Sequence, residues 1–359
     1  MKKQNLLAFI AIVSVLLACK PNANVSLNGA DETLVLSSWQ TNLQADTDST
    51  ISVNAIIAYI QKITDSNSKA FIPVEDRVAV FDMDGTIACE RPFSFEQVCS
   101  SQLAFGTIPS CNANKDSLQD AIIKKFKSYL PCNITSDSLI RFFAAQTAML
   151  KNQCIPVNNP KAQVLCKQFY KPMIELIRYL QANQFEVYIV SGSSQQFIRG
   201  IVSNVDPLCK LHPSHIIGSL QQYQKLVHTD GIGGEFYLDT ANFLSNVSQG
   251  KAINIYNRIG KQPVFAFGNT VDDFDMFSIT SYKNKYSTMC VLLNHDSKDM
   301  EDAYFPFKSK NTVTKNWNQP SYSGKPWSTE IFWQIVRNEG WKVANMSQCF
   351  NPDSVFIGD

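Results

Sequence analysis

Val78-Ala79-Val80-Phe81 runs straight into Asp82-Met83-Asp84-Gly85-Thr86. This junction constrains the fold more than any other stretch of the chain. Four apolar residues, partly β-branched, read as a buried strand. Two carboxylates one residue apart then close it, and Gly85 permits a sharp turn. Like charges so close are unfavourable, so the fold that holds them must supply a compensating charge or keep one of them protonated.

The same grammar recurs down the chain. Val187–Val190 is followed by Ser191-Gly192-Ser193, Val264–Phe267 by Gly268-Asn269-Thr270, and Cys290–Leu293 gives a further apolar run. Ile216–Leu238 is turn-rich and reads as β, and Trp341–Asn345 reads as a last strand. Helical spacing falls between these runs, over Ile51–Ile63, Lys171–Asn183, Gln195–Val205, Gly250–Ile259 and Thr329–Asn338. Strands alternating with helices predict an α/β fold, a Rossmann-like doubly wound parallel sheet with helices on both faces. In such sheets ligands bind beyond the carboxyl ends of the strands. Asp82 and Asp84, Ser191, and Asn269 with Asp273 all fall at that edge.

Phe93–Tyr170 separates the first two strands. Helix-like segments at Ser117–Tyr129 and Ser136–Lys151, punctuated by Pro109, Pro131, Pro156 and Pro160, predict a helical cap inserted after the first strand. The expected organisation is a leader over 1–19, a polar tether over 20–50 that becomes ordered near Leu34–Trp39, a core domain from 51–92 and 171–359, and the cap over 93–170. The segment from Phe305 to Ser328 reads as a long surface loop.

The start of the chain reads as an export signal. Lys2-Lys3 precedes a Leu6–Leu17 apolar run too short to span a bilayer comfortably, and Leu16-Leu17-Ala18-Cys19 resembles a bacterial lipoprotein cleavage box. Cys19 is then the expected lipidation site, anchoring a folded domain to a membrane of the bacterial cell envelope. Lys20 in the following position favours the outer membrane. An ordinary signal peptide and an uncleaved anchor are the other readings. Of 10 cysteines, Cys99, Cys111, Cys132, Cys154 and Cys166 crowd one stretch, and in an oxidising compartment one or two disulfides are expected there. The 32 basic residues balance 31 acidic ones, a pattern without the basic footprint of a nucleic-acid-binding protein.

A carboxylate pair at a strand end has two chemical uses. A divalent cation such as Mg²⁺ relieves the repulsion, since hard oxygen ligands suit it. Alternatively the two pKa values are driven apart to give one nucleophile or base and one acid. Both hold together if Asp82 is ionised on a metal and Asp84 carries a proton.

Asp82-Met83-Asp84-Gly85-Thr86, Ser191 in Val190-Ser191-Gly192, Lys251, and Gly268-Asn269-Thr270-Val271-Asp272-Asp273 resemble, in this order, the four motifs of the haloacid dehalogenase superfamily. The wider texture is similar to a group of exported bacterial phosphatases in it, with phosphorylcholine and phosphoserine phosphatases as more distant relatives. The resemblance implies a phosphomonoester hydrolase. Asp82 would attack phosphorus and form an aspartyl-phosphate, and Asp84 would protonate the leaving alcohol and then activate water. Ser191, Gly192, Ser193 and Thr86 would bind the phosphoryl group, and Lys251 would neutralise it. Mg²⁺ would be held by Asp82, the Asp84 carbonyl oxygen, Asp273 and Asn269.

Asn269 stands where relatives often have aspartate, which removes one negative charge from the expected metal site. Asp272 competes with Asp273, although helix geometry favours the latter. The substrate would be a small phosphorylated metabolite, selected by the cap and by Glu90 and Arg91 at its entry. Phe93, Phe95, Glu96 and Phe105 could surround a cationic head group. A phosphotransferase would use the same nucleophile, and an idle surface lipoprotein that uses the fold for binding is the reading from another class.

Overall fold

A computed structural model of the protein describes residues 36–40, 50–91, 93–106, 117–118, 121, 169–202, 211–227, 234–298, 300, 303–304 and 328–356. In chain order the main elements begin with α1 (Val53–Thr64), β1 (Val78–Phe81), α2 (Phe95–Phe105), α3 (Lys171–Ala182), β2 (Glu186–Ser194) and α4 (Gln195–Val202). They continue with β3 (Ile216–Val227), β4 (Gly234–Leu244), α5 (Gln249–Ile259), β5 (Phe265–Gly268), α6 (Phe274–Ser281), β6 (Met289–Asn294), α7 (Thr329–Asn338) and β7 (Lys342–Asn345).

The seven strands form one sheet in the order β4-β3-β2-β1-β5-β6-β7. β1 lies at its centre, pairing in parallel with β2 (Val78 opposite Glu186) and with β5 (Ala79 opposite Phe265). The pairs β2·β3, β5·β6 and β6·β7 are also parallel. The Rossmann-like parallel sheet expected from the sequence is present over β3-β2-β1-β5-β6-β7, and β4 adds an antiparallel strand at one edge. The turn signals after β3 allow the chain to fold straight back, whereas a parallel return needs a crossover of a dozen or more residues.

Burial on both faces explains why the central strands read as unbroken apolar runs instead of alternating ones. Side chains still alternate between faces with period two. Ala79, Phe81, Val187, Ile189, Phe265, Phe267, Val291 and Leu293 join one core with Ile56, Ile60 and Ile63 of α1 and Met173, Ile177 and Leu180 of α3. Val78, Val80, Tyr188, Val190, Ala266, Cys290 and Leu292 join a second core with Ile255 of α5, Phe274 and Phe277 of α6 and Phe332 of α7. Ser52 caps α1, its hydroxyl accepting from the Ala55 N–H. At the other end of the helix layer Tyr59 donates to the Val264 carbonyl at 2.8 Å, tying α1 to the entry of β5.

Leu36–Gln40, at the expected end of the tether, is docked on the core. Trp39 is buried, donates its indole N–H to the Pro172 carbonyl at 2.8 Å and meets Phe350 edge-on at 5.1 Å. Ser38 gives both its N–H and its hydroxyl to the Glu175 carboxylate, at 2.9 and 2.8 Å. Of the expected cap, α2 is described, and positions 117–118 and 121 are helical. The rest of Ser117–Tyr129, all of Ser136–Lys151, the leader with Cys19 and the 305–328 loop lie outside the described residues. Of the five cysteines expected to supply one or two disulfides, Cys99 is a free thiol buried in the core. Cys111, Cys132, Cys154 and Cys166 lie outside the described residues. No described helix is long and apolar enough to cross a membrane.

Truncating a packed core tryptophan costs about 3–5 kcal/mol. Trp39→Ala is therefore expected to lower the urea midpoint by that equivalent. A loss of less than about 1 kcal/mol would mean that the 36–40 segment adds nothing to the core.

Candidate active site

The site is built where β1, β2 and β5 end side by side. The Asp82 N–H still belongs to the sheet, donating to the Phe267 carbonyl at 2.9 Å. The chain then coils around one acceptor, with the N–H groups of Thr86, Ile87 and Ala88 all directed at the Met83 carbonyl, at 3.1, 2.8 and 2.9 Å. Gly85 makes this turn possible. Its φ is +78°, and a Cβ there would sit 1.9 Å from Asn269 Nδ2 and 2.6 Å from the Tyr304 hydroxyl. The loop is braced from behind by His295, whose Nε2 lies 2.7 Å from the Gly85 carbonyl. A carbonyl only accepts, so Nε2 carries the proton.

Lys251 enters from the first turn of α5. Its Nζ is 2.6 Å from Asp82 Oδ1 and 2.6 Å from Asp273 Oδ1, and all three side chains are buried. Asp273 reaches this position through a tight turn after β5. Its second oxygen accepts the N–H groups of Asn269 at 2.9 Å and Thr270 at 3.0 Å. Gly268 lets that carboxylate come close, since a Cβ there would lie 2.5 Å from Asp273 Cγ. Both Asp273 oxygens are thus engaged, one by the ammonium and one by the backbone. Asp272, the competing acid, instead accepts from the Ser248 hydroxyl at 2.9 Å.

Charge in this cluster is unbalanced. Around Asp82, two carboxylates, Asp273 and Asp84, act against one ammonium, Lys251. Burial pushes the Asp82 carboxyl well above its ordinary range, Asp273 and Asp84 push the same way, and Lys251 only partly opposes them. For Lys251 burial works against the charge, but Asp273 and Asp82 outweigh it and hold the ammonium above its ordinary value. Among the described residues no cluster of three His, Cys, Asp or Glu side chains is placed to hold a metal ion. A cation here would need the amide oxygen of Asn269 or a backbone carbonyl besides Asp82.

The end of β2 supplies the third wall. Ser191 is fully buried, and its hydroxyl accepts the Ser193 N–H at 3.1 Å. Ser193 donates its hydroxyl to Asp84 Oδ2 at 2.5 Å. Of the residues expected to bind a phosphoryl group, Ser193 therefore has its N–H on Ser191 and its hydroxyl on Asp84. Thr86 is fully buried with its hydroxyl 3.4 Å from Asn269 Oδ1, an inner wall of the site.

Sequence reasoning missed the supports of this wall. Asn246 donates to the carbonyls of Ser191 at 2.8 Å and Ile217 at 3.1 Å, while the Ser219 hydroxyl donates to the Gly192 carbonyl at 2.8 Å. Neither residue lies in a recognisable pattern, and the pairing of β3 with β2 on one side and β4 on the other brings them together. His295 and Tyr304 were missed in the same way, arriving from the chain after β6.

Glu96, in the first turn of α2, joins the only described cap helix to the site. Its Oε2 accepts the Ser194 N–H at 3.0 Å. Burial pushes its carboxyl up to about 7, against the opposing hydrogen bonds from Ser194 and Ser193, and Asp84 adds to the rise.

A sequence model described as haloacid dehalogenase-like hydrolase matches residues 79–278, more than half of the chain. The match begins inside β1 and ends inside α6, so it contains Asp82, Asp84, Ser191, Lys251, Asn269 and Asp273. No curated protein sequence matches this one. Among solved structures, a conserved protein of unknown function from Anaerococcus prevotii is similar at 15% identity over 70% of this chain and 88% of that one, with a TM-score of 0.44. A phosphoserine phosphohydrolase-like protein from Francisella tularensis is similar at 14% identity over 60% of this chain and 87% of that one, TM-score 0.32. Cytosolic 5'-nucleotidase IIIB bound to cytidine is similar at 12% identity over 68% and 80%, TM-score 0.35. The family assignment rests on the sequence model alone.

Glu96 gives a prediction with a definite sign. A carboxyl held at about 7 in the folded protein, above its ordinary 4.5, keeps a proton that the unfolded chain releases. Its contribution to stability therefore falls as pH rises through that window and is level above it. Urea midpoints at about pH 5 and about pH 8 should show the parent losing more stability than Glu96→Gln. Equal losses would mean that Glu96 does not titrate in this way.

Proposed function

The chain belongs to the haloacid dehalogenase-like hydrolases, and on that premise we propose that it is a metal-dependent phosphomonoesterase acting on a small phosphorylated metabolite through an aspartyl-phosphate at Asp82. The observation that carries the reading is the asymmetry of the Asp82 carboxylate. Oδ1 is fixed by Lys251 at 2.6 Å, while no described donor meets Oδ2. One oxygen is clamped and the other is left with its lone pairs for phosphorus.

The chain's own groups divide the work. The Oδ2 lone pair forms the new O–P bond as the ester P–O bond breaks, and the departing alcohol oxygen takes a proton from Asp84. The resulting Asp84 carboxylate then removes a proton from water, whose oxygen displaces Asp82 from phosphorus and releases inorganic phosphate. Ser193 orients Asp84 through the 2.5 Å hydrogen bond during both steps. Lys251 offsets charge as it builds on the phosphoryl oxygens, and Asp273 keeps that ammonium charged and in place.

The donor set fits Mg²⁺. Asp82, whose carboxyl Lys251 only partly offsets against burial and Asp273, would be joined by the Asp84 carbonyl and the Asn269 amide as hard oxygen donors at one edge. Asp273, with both oxygens engaged, supports Lys251 in this reading in place of ligating the ion directly. When bound, the ion supplies positive charge to Asp82 and to the phosphoryl group.

Phosphorylcholine-like and phosphoserine-like esters are candidate substrates. A phosphotransferase would share the first half of the chemistry. A purely binding role gives no reason for a clamped nucleophile opposite a hydrogen-bonded acid. At the N-terminus, the Lys2-Lys3 start, the apolar run and Cys19 support an exported, lipid-anchored protein of the bacterial envelope, and Lys20 favours the outer membrane within that reading.

Phosphate release from p-nitrophenyl phosphate tests the reading. Chelation should abolish it and Mg²⁺ restore it, and Asp82→Asn should lower kcat by about 10³-fold or more. An Asp82→Asn protein as fast as the parent would remove Asp82 as the nucleophile.

A further inference from the structure

We propose that Arg91 binds a second oxyanion carried by the substrate, so that the preferred esters are phosphomonoesters whose alcohol portion bears a carboxylate or another phosphate. The inference deepens the phosphomonoesterase reading and rests on it for the place of the first phosphoryl group.

Three planar groups are stacked outward from the catalytic loop. His295, hydrogen-bonded to the Gly85 carbonyl, stacks on Tyr304 with ring centroids 4.3 Å apart and planes 18° from parallel. The Arg91 guanidinium lies over Tyr304, 4.4 Å from its ring centroid. Tyr304 also receives the Asn269 Nδ2–H at 2.9 Å, so the ring beneath Arg91 is fixed to the wall of the site itself. The stack holds the guanidinium plane and leaves its donors unused. Arg91 Nε is buried with no hydrogen-bond partner, and among the described residues no carboxylate pairs with the guanidinium. Adjacent Glu90 is turned to the site wall, its Oε1 3.4 Å from Asn269 Nδ2.

Bulk water does not reach a buried Nε–H, and a lost donor inside a protein is unfavourable. With Nε enclosed by protein on a side chain that is half-buried as a whole, the end formed by the two Nη groups is the side on which this guanidinium can take a carboxylate or phosphate with two parallel hydrogen bonds. Lysine offers no such fork, and a cation–π contact alone uses the face of the group and not its edge. Arg91 lies seven residues beyond Asp84, the proposed proton donor to the leaving alcohol, on the chain leading into α2. Through Tyr304, which is bonded to Asn269, the guanidinium is tied to the wall of the pocket, where an oxyanion on the alcohol portion would meet it.

Matched probes test this: propyl phosphate, its terminally carboxylated counterpart, and propane-1,3-diyl bisphosphate as substrates, with propylphosphonate and 3-phosphonopropanoate as ligands in calorimetry. The parent should favour a doubly anionic probe over its singly anionic partner by about tenfold or more. Arg91→Gln should bring that ratio near one, and Arg91→Lys should leave it between the two. Whether the carboxylate or the bisphosphate gains more identifies the oxyanion. A parent with no preference, or a preference retained in both variants, overturns the proposal. If no ester is hydrolysed but calorimetry shows the Arg91-dependent preference, the phosphomonoesterase reading falls and the oxyanion site stands.

Discussion

The arrangement hinges on one buried ammonium shared between two carboxylates. Lys251 lies 2.6 Å from both Asp82 and Asp273 with almost no exposure to water. A buried lysine alone would lose its charge, and a buried Asp82 alone would keep its proton. Asp273 and Asp82 together hold the ammonium charged, and that ammonium in turn offsets part of what favours the proton on Asp82. Asp273 in turn is fixed by the N–H groups of Asn269 and Thr270, so the last link of the clamp is backbone. Removing one partner of such a set leaves an uncompensated buried charge, which is far more costly than the intact set is favourable.

This cluster requires three loops from distant parts of the sequence to meet within ångströms, and the parallel sheet provides that. β1 is central, flanked by β2 and β5, and all three end at the same edge. The two glycines with defined duties serve close approach. Gly268 admits the Asp273 carboxylate, and Gly85 admits Asn269 and the Tyr304 hydroxyl. Both faces of the sheet are covered by apolar helix faces, which fix the strand ends that carry the cluster.

The sheet and its catalytic edge were legible because they rest on local grammar. An apolar run followed by a glycine-containing polar turn marks a strand end whatever its neighbours are. The antiparallel β4 was not resolved, since Ile216–Leu238 reads as one turn-rich β stretch until its two strands are separated. The role of Asp273 was half legible. Its place in the site follows from the motif, but the saturation of both its oxygens depends on where α5 carries Lys251. Asn246, Ser219, His295 and Tyr304 were invisible because single polar residues in unremarkable surroundings gain meaning only when distant strands bring them to a loop. Trp39 falls between these cases: the aromatic stands out in a polar stretch, but its partners Pro172 and Phe350 are far away in sequence.

The account stands on Asp82 Oδ2 becoming covalently bonded to phosphorus. A single turnover with ³²P-labelled ester, quenched in acid, reduced with borohydride and mapped by peptide mass spectrometry, tests it most directly. The account predicts transient label in the protein and reduction at position 82 alone. Label at another residue, or phosphate released with no labelled protein at any time of quenching, would contradict it.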